Sequence, residues 1–166
     1  MNTVSTPTAI KPVDFNTYEK VDGSLVFPEL YSKGEVQITR RKFRHPNCVD
    51  SNPDYIADEM LLRRALAWWF GLPDPLGFAG ETGSGKTELF YYIADKLNEP
   101  VYLLQVNGGL MPEMVEGKTS LAQGETVDEM GVVPHAYKHG GLILLDEVDK
   151  ANKALQSWLH PVLERK

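Results

Sequence analysis

An α/β fold built on a parallel sheet is the prediction, and three features of the sequence carry it. Strand-like and helix-like segments alternate from Pro75 onward. A glycine-rich octapeptide, Gly80-Glu81-Thr82-Gly83-Ser84-Gly85-Lys86-Thr87, stands between the first such strand and the helix that follows it. Leu142-Ile143-Leu144-Leu145 is an unbroken apolar run, the pattern of a strand covered on both faces.

Taken in order, residues 1–20 mix Thr, Pro, Val and Lys without period, and Pro7 and Pro12 break any helix, so a flexible tail is expected. Residues 21–52 read as a linker or small β-hairpin region, with Leu25-Val26-Phe27 and Val36-Gln37-Ile38-Thr39 flanking a Ser32-Lys33-Gly34 turn signal. The main domain is expected over residues 53–166. Asn52-Pro53 supplies a cap and a first-turn proline, which predicts a helix from Pro53 to Phe70, stopped by Gly71 and Pro73. Its apolar residues Ile56, Met60, Leu62, Leu66 and Trp69 cover more than one stripe, so burial on two sides is expected. Pro75 to Ala79 reads as a strand. Phe90, Ile93, Ala94 and Leu97 follow helical spacing in a helix from Lys86 to Leu97, which Asn98 and Pro100 terminate. Val101 to Val106 is a second strand and Leu142 to Leu145 a third.

Composition bounds the function. At 166 residues there is room for one domain of ordinary size, not for two full enzymatic domains. Lys+Arg 17 against Asp+Glu 23 gives a net charge of -6, which argues against a chain whose main work is neutralising nucleic acid. A lone cysteine, Cys48, excludes an intrachain disulfide and a cysteine-rich zinc cage and fits a reducing compartment, so a cytoplasmic location is expected. The longest apolar run, Ala65 to Phe70, is far below bilayer-spanning length, so no membrane partner is expected.

The octapeptide fits G-x-x-x-x-G-K-[ST]. Its glycines let the backbone curl until several N–H groups point inward at an anion, and the following helix adds its positive end. Lys86 is expected to reach the β- and γ-phosphates of a nucleotide, and Thr87 to offer its hydroxyl to Mg²⁺. Gly80, Glu81, Thr82, Gly83, Ser84, Gly85, Lys86 and Thr87, with Glu88 in the first helical turn, form the candidate nucleotide-binding set. The apolar strand ends in Asp146-Glu147, at the sheet edge where α/β proteins bind ligands. Asp146 suits a second contact to Mg²⁺, and Glu147 suits polarising a water for attack on the γ-phosphate. Lys86 and Glu147 are the candidate catalytic pair; ATP and Mg²⁺ are the expected ligands.

These two motifs resemble Walker A and Walker B of the AAA+ ATPases, in which a hydrolytic glutamate directly after the aspartate is typical. Leu110 to Gly117, and Gly131 to Ala136 leading through Gly140-Gly141 into the acidic strand, resemble the MoxR/CobS-type branch. The resemblance covers roughly residues 53–166. It implies a P-loop NTPase three-layer sandwich with a parallel sheet that is incomplete, because the family's later strands and helical lid are absent before Lys166. It therefore implies a fragment or truncated product, with Leu76–Ala79 and Leu142–Leu145 facing each other across an empty slot. It also implies ATP hydrolysis by a ring oligomer that remodels or activates partner proteins. Two alternatives stand beside this: a nucleotide-gated binding module without turnover, and a small-molecule P-loop kinase, which Asp146-Glu147 disfavours because a kinase must keep water from the γ-phosphate.

Other residues invite plainer readings. His135 and His139, four apart, and His45 with Cys48 lack an evident further metal ligand. Arg40, Arg41, Lys42 and Arg44 form the only basic cluster and read as a solvated edge, with nucleic acid as the weaker reading. Trp68, Trp69 and Phe70 read as core packing rather than an adenine contact. Lys118 to Met130, with its Gln123-Gly124-Glu125 turn signal, reads as a polar loop or small hairpin insertion.

Overall fold

Helix-forming and strand-forming segments alternate through the computed structural model. It describes residues 13–72, 74–81, 83–122 and 125–164, with the main chain alone for 118–129. The first unit is a hairpin in which β1 (Tyr18–Asp22) pairs antiparallel with β2 (Gln37–Arg41), from Tyr18↔Arg41 to Asp22↔Gln37. The expected aperiodic tail thus gives way to regular structure by Tyr18, and residues 1–12 lie outside the described residues. The Ser32-Lys33-Gly34 turn forms, with Glu35 N–H on the Ser32 carbonyl and Gly34 at φ 82°. Leu25-Val26-Phe27, however, is not the partner strand. Gly23–Val26 is a single helical turn, α1, capped by Asp22, whose carboxylate accepts from Ser24 N–H at 3.0 Å. The reason is burial. Adjacent Val26 and Phe27 are both enclosed in the core, and a strand would send neighbouring side chains to opposite faces.

α2 spans Glu59–Gly71, starting six residues later than expected. Asn52 caps a turn instead, accepting from Asp54 N–H at 3.0 Å, and Asp58 caps the helix by accepting from Leu61 N–H at 2.9 Å. Starting there buries one stripe, Leu62, Ala65 and Leu66, and leaves Met60 and Ile56 outside, the latter 91% exposed. The expectation of burial on two sides is therefore corrected. Pro73 lies outside the described residues.

α3 (Lys86–Leu97) has the expected bounds and buries Leu89, Phe90, Ile93, Ala94 and Leu97. Asn98, left-handed at φ 58°, ends it. The chain then enters β3 (Val101–Gln105) and continues through α4 (Pro112–Glu116). The hairpin β4 (Gly117–Ala122) and β5 (Glu125–Met130) and the helix α5 (Val132–His139) follow. Apart from Glu125, the turn signal of that hairpin lies outside the described residues. β6 (Leu142–Asp146) returns parallel to β3, from Val101↔Leu142 to Gln105↔Asp146, and α6 (Lys153–Leu163) closes the order.

Strand alternation sorts the layers. Leu142 and Leu144 pack with α3, whereas Ile143 and Leu145 pack with Leu155 and Leu159 of α6. The result is helix, parallel sheet, helix. One expected strand is missing: Leu76–Ala79 joins no sheet. Among the described residues β6 has β3 on one edge and no strand on the other, and this stretch does not take up that open edge. Side chains anchor it instead. Phe78 meets Phe90 edge-on at 5.3 Å, and Trp68 Nε1–H donates to the Asp74 carbonyl at 2.5 Å. Among the described residues no helix is long and apolar enough to cross a membrane.

Candidate functional site

The loop between Phe78 and α3 curls because Gly83 and Gly85 adopt φ 80° and 78°, a region that other residues enter at a cost of about 1–2 kcal/mol. Gly85 leads directly into α3, so the unbonded N–H groups of the first helical turn face the loop. Lys86 folds back over it. Its ammonium donates to the Gly80 carbonyl at 2.9 Å, the Glu81 carbonyl at 2.6 Å and Ser84 Oγ at 3.2 Å. A Cβ on Gly80 would stand 3.5 Å from Ser84 Oγ and 4.0 Å from Lys86 Nζ, inside the concavity that the lysine spans. The sequence-predicted set Gly80, Glu81, Gly83, Ser84, Gly85, Lys86, Thr87 and Glu88 thus forms one continuous loop and helix start; Thr82 lies outside the described residues.

Alternation along β6 puts Asp146 on the face of Leu142 and Leu144, the face that α3 covers. Tyr91, one turn along α3 from Thr87, reports the proximity. Its phenol is raised above its ordinary value by burial, then by the charges of Glu88 and Asp146. The hydroxyl of Thr87 and the carboxylate of Asp146 are hard oxygen donors of the kind Mg²⁺ takes, usually from one or two side chains plus phosphate. Cradle and donor set fit a magnesium nucleotide.

Glu147 follows with left-handed backbone, φ 55° and ψ 40°. Among the described residues only Asn98 and Glu147 are non-glycine with positive φ, and Asn98 is a residue type suited to it. The strain at Glu147 turns the chain out of the strand into a 3-10 turn, Val148–Lys150. Lys150 comes back to Glu147, with its ammonium 2.8 Å from Glu147 Oε1. Burying little, the pair sits half-exposed at the sheet edge.

Two residues that the sequence did not single out support the site. Asn152 caps α6 by accepting from Leu155 N–H at 2.9 Å, and its amide donates to the carbonyls of Gly108 at 3.1 Å and Leu110 at 2.9 Å. It therefore ties the loop after β3 to the element after the acidic pair. An Asn just ahead of an apolar run was the available signal. Tyr55 lies against the phosphate-loop turn, 3.3 Å from where a Cβ on Gly85 would stand. Nothing local in the sequence marks it.

The remaining candidates are placed elsewhere. Of the basic cluster, Arg41 is buried on Glu99 at 2.7 Å, Arg40 pairs with Glu19 at 3.0 Å, and Arg44 pairs with Asp95 and Asp50. The reading of that cluster as a solvated edge is corrected at Arg41, because Glu99 is 58 residues away in sequence. Trp68 and Trp69 pack on the core and line a cavity of about 300 Å³ with Leu142, at the strand end opposite Asp146. The rings of His135 and His139 lie 4.5 Å apart, with His45 6.5 Å from His139. Among the described residues no group of three or more His, Cys, Asp or Glu is arranged to hold a metal.

Comparison with known proteins follows the same residues. The family model for the AAA domain (dynein-related subfamily) matches residues 75–166. Protein NorQ of Paracoccus denitrificans is 33% identical over 90 residues, 54% of this chain and 33% of NorQ. The denitrification regulatory protein NirQ of Stutzerimonas stutzeri is 30% identical over 107 residues, 64% of this chain and 38% of NirQ. The aerobic cobaltochelatase subunit CobS of a Sinorhizobium species is 26% identical over 148 residues, 87% of this chain and 41% of CobS. The matched stretch thus spans between 33% and 41% of the length of these relatives.

Proposed function

The chain belongs to the AAA domain family, dynein-related subfamily, and from that premise we propose that it binds ATP with Mg²⁺ on the Gly80–Thr87 loop and hydrolyses it to drive a change in a partner protein. The loop N–H groups and Lys86 hold the β- and γ-phosphates. Thr87 and Asp146 hold Mg²⁺, which when bound neutralises the phosphate charge. Glu147 accepts a proton from the water that attacks the γ-phosphorus, and the bond to the bridging oxygen of ADP breaks. The observation that carries this reading is the strand register: Asp146 falls on the face covered by the helix that the glycine loop begins.

The acting form is a homo-oligomeric ring, as the family resemblance implies, and the lone cysteine Cys48 fits a cytoplasmic setting. Relatives named as regulatory proteins and as a chelatase subunit favour a protein as the object of that work over a small molecule. Nucleic acid is disfavoured, since three of the four clustered basic side chains already face carboxylates.

Titration calorimetry with a non-hydrolysable ATP analogue and Mg²⁺ tests the site. Lys86→Ala is expected to abolish binding, and retained affinity would remove the loop from the site. In the assembled ATPase, Glu147→Gln is expected to keep binding and stop phosphate release; undiminished release would take the role from Glu147.

A further inference from the structure

We infer that a small oxyanion binds in a hollow between β3 and the start of α5, held by the Tyr102 hydroxyl, the His135 ring and the N–H groups of Val132 and Val133. The hollow measures about 190 Å³, and Tyr102, Gly131, Val132 and His135 are among the residues that line it. Two of its walls carry polar atoms that no described residue answers. Tyr102 Oη and His135 Nδ1 are shut away from solvent without a hydrogen-bond partner, and Tyr102 as a whole is only 8% exposed. Their rings are neighbours, with centroids 5.4 Å apart. Buried polar groups in folded proteins are almost always paired, so two orphans on one hollow point to a ligand.

The backbone supplies the other donors. α5 opens at Gly131 without a side-chain cap. None fits there, because a Cβ on Gly131 would stand 2.1 Å from the Val115 carbonyl oxygen. The first N–H groups of a helix have no acceptor within it, and Pro134 at the third position carries none. Val132 and Val133 therefore present theirs at the positive end of the helix. Helical side chains lean toward the helix start, which brings the His135 ring to that same end. Tyr102 comes from the sheet. It stands beside Ile143 in the strand register, on the face that α6 shares, whereas Asp146 is on the opposite face with α3. The hollow is thus separate from the nucleotide loop.

Sign and size select the ligand. The hydroxyl and the helix start donate, as does His135 when Nδ1 carries its proton, and no carboxylate lines the hollow. The neighbouring rings of His139 and His45 add no negative charge. A cation finds no opposite charge here and, among the described residues, no set of metal ligands. Sites for drug-sized ligands run to about 300–1,000 Å³, so this smaller one suits a compact oxyanion, a phosphate or a carboxylate, and not a nucleotide.

The test is a nuclear magnetic resonance titration of the full chain with sodium phosphate and, separately, with sodium acetate, at fixed pH and ionic strength. Saturable shifts of the Val132 and Val133 amides and of the His135 ring nitrogens are expected with at least one salt; which one responds tells phosphate from carboxylate. Tyr102→Phe removes one hydroxyl and is expected to weaken that binding about tenfold, the worth of one hydrogen bond to a charged group. Val132→Pro removes an N–H at a position where proline is at home, is expected to weaken it likewise, and decides the question if Tyr102→Phe fails to fold. Affinity unchanged in either variant overturns the site. No saturable shift with either salt, the behaviour of a hollow that holds water alone, overturns it as well. Shifts confined to the Gly80–Thr87 amides overturn this inference and leave the reading of that loop standing.

Discussion

A guanidinium without access to solvent needs its donors satisfied, and Arg41 finds four partners from three parts of the chain. Glu99 accepts at 2.7 Å, the Phe15 carbonyl at 2.7 Å, Asn16 Oδ1 at 2.8 Å and the His139 carbonyl at 3.0 Å. Removing one member of such a buried pair strands the other charge, which costs about 3–5 kcal/mol. Arg41→Leu is accordingly expected to lower stability by that amount in urea unfolding, and a loss under about 1 kcal/mol would show that Glu99 finds water or another cation. Lys86 and Glu147 follow a different logic. Their partners are local and partly exposed, so their worth lies in geometry and not in stability.

At the level of elements, capping decides what periodicity leaves open. α2 could begin after Asn52 or after Asp58, since both are cap-forming residues; the later start goes with burial of Leu62, Ala65 and Leu66 in the core that α3 shares. α3 offered no such choice, with the glycine loop before it and Asn98 after it, and its bounds were legible. At α6 the cap does two jobs. Asn152→Ala loses the N-cap bond and both tethers to the loop after β3, each effect worth about 1 kcal/mol. The expected outcome is a fall in melting temperature together with faster amide exchange at Leu155. Should Leu155 exchange stay unchanged, the cap is not what holds the first turn.

For the molecule as a whole, the N-terminal hairpin is fastened to the α/β unit at a polar seam. His45 sits there with Nδ1 accepting from Asn47 N–H at 3.0 Å, near Arg41, His139 and His135. Burial first, and then those neighbouring charges, hold the His45 imidazole below its ordinary value. The unfolded chain takes up this proton near pH 6.5, and the folded chain only at lower pH, so within that window stability rises with pH. The contribution is complete above about pH 6.5 and is lost as pH falls toward the folded value. Urea midpoints measured between about pH 5 and 7 are expected to drop on the acid side, and His45→Gln to flatten that slope. A variant with the same slope would place the titration in another group.

The sequence by itself determined the local chemistry: the glycine loop, α3 with both its ends, the two strands β3 and β6, and the carboxylates at the strand tip. Each follows from dihedral preference, helical spacing or unbroken apolarity, which neighbouring residues impose on one another. Only the tertiary structure decided that Asp146 faces α3, that Val26 and Phe27 form a helical turn, that Arg41 is buried, and that Leu76–Ala79 joins no sheet. Those outcomes depend on partners many residues away, a carboxylate for a guanidinium or a neighbouring strand for a ladder, and no local pattern encodes whether such a partner arrives.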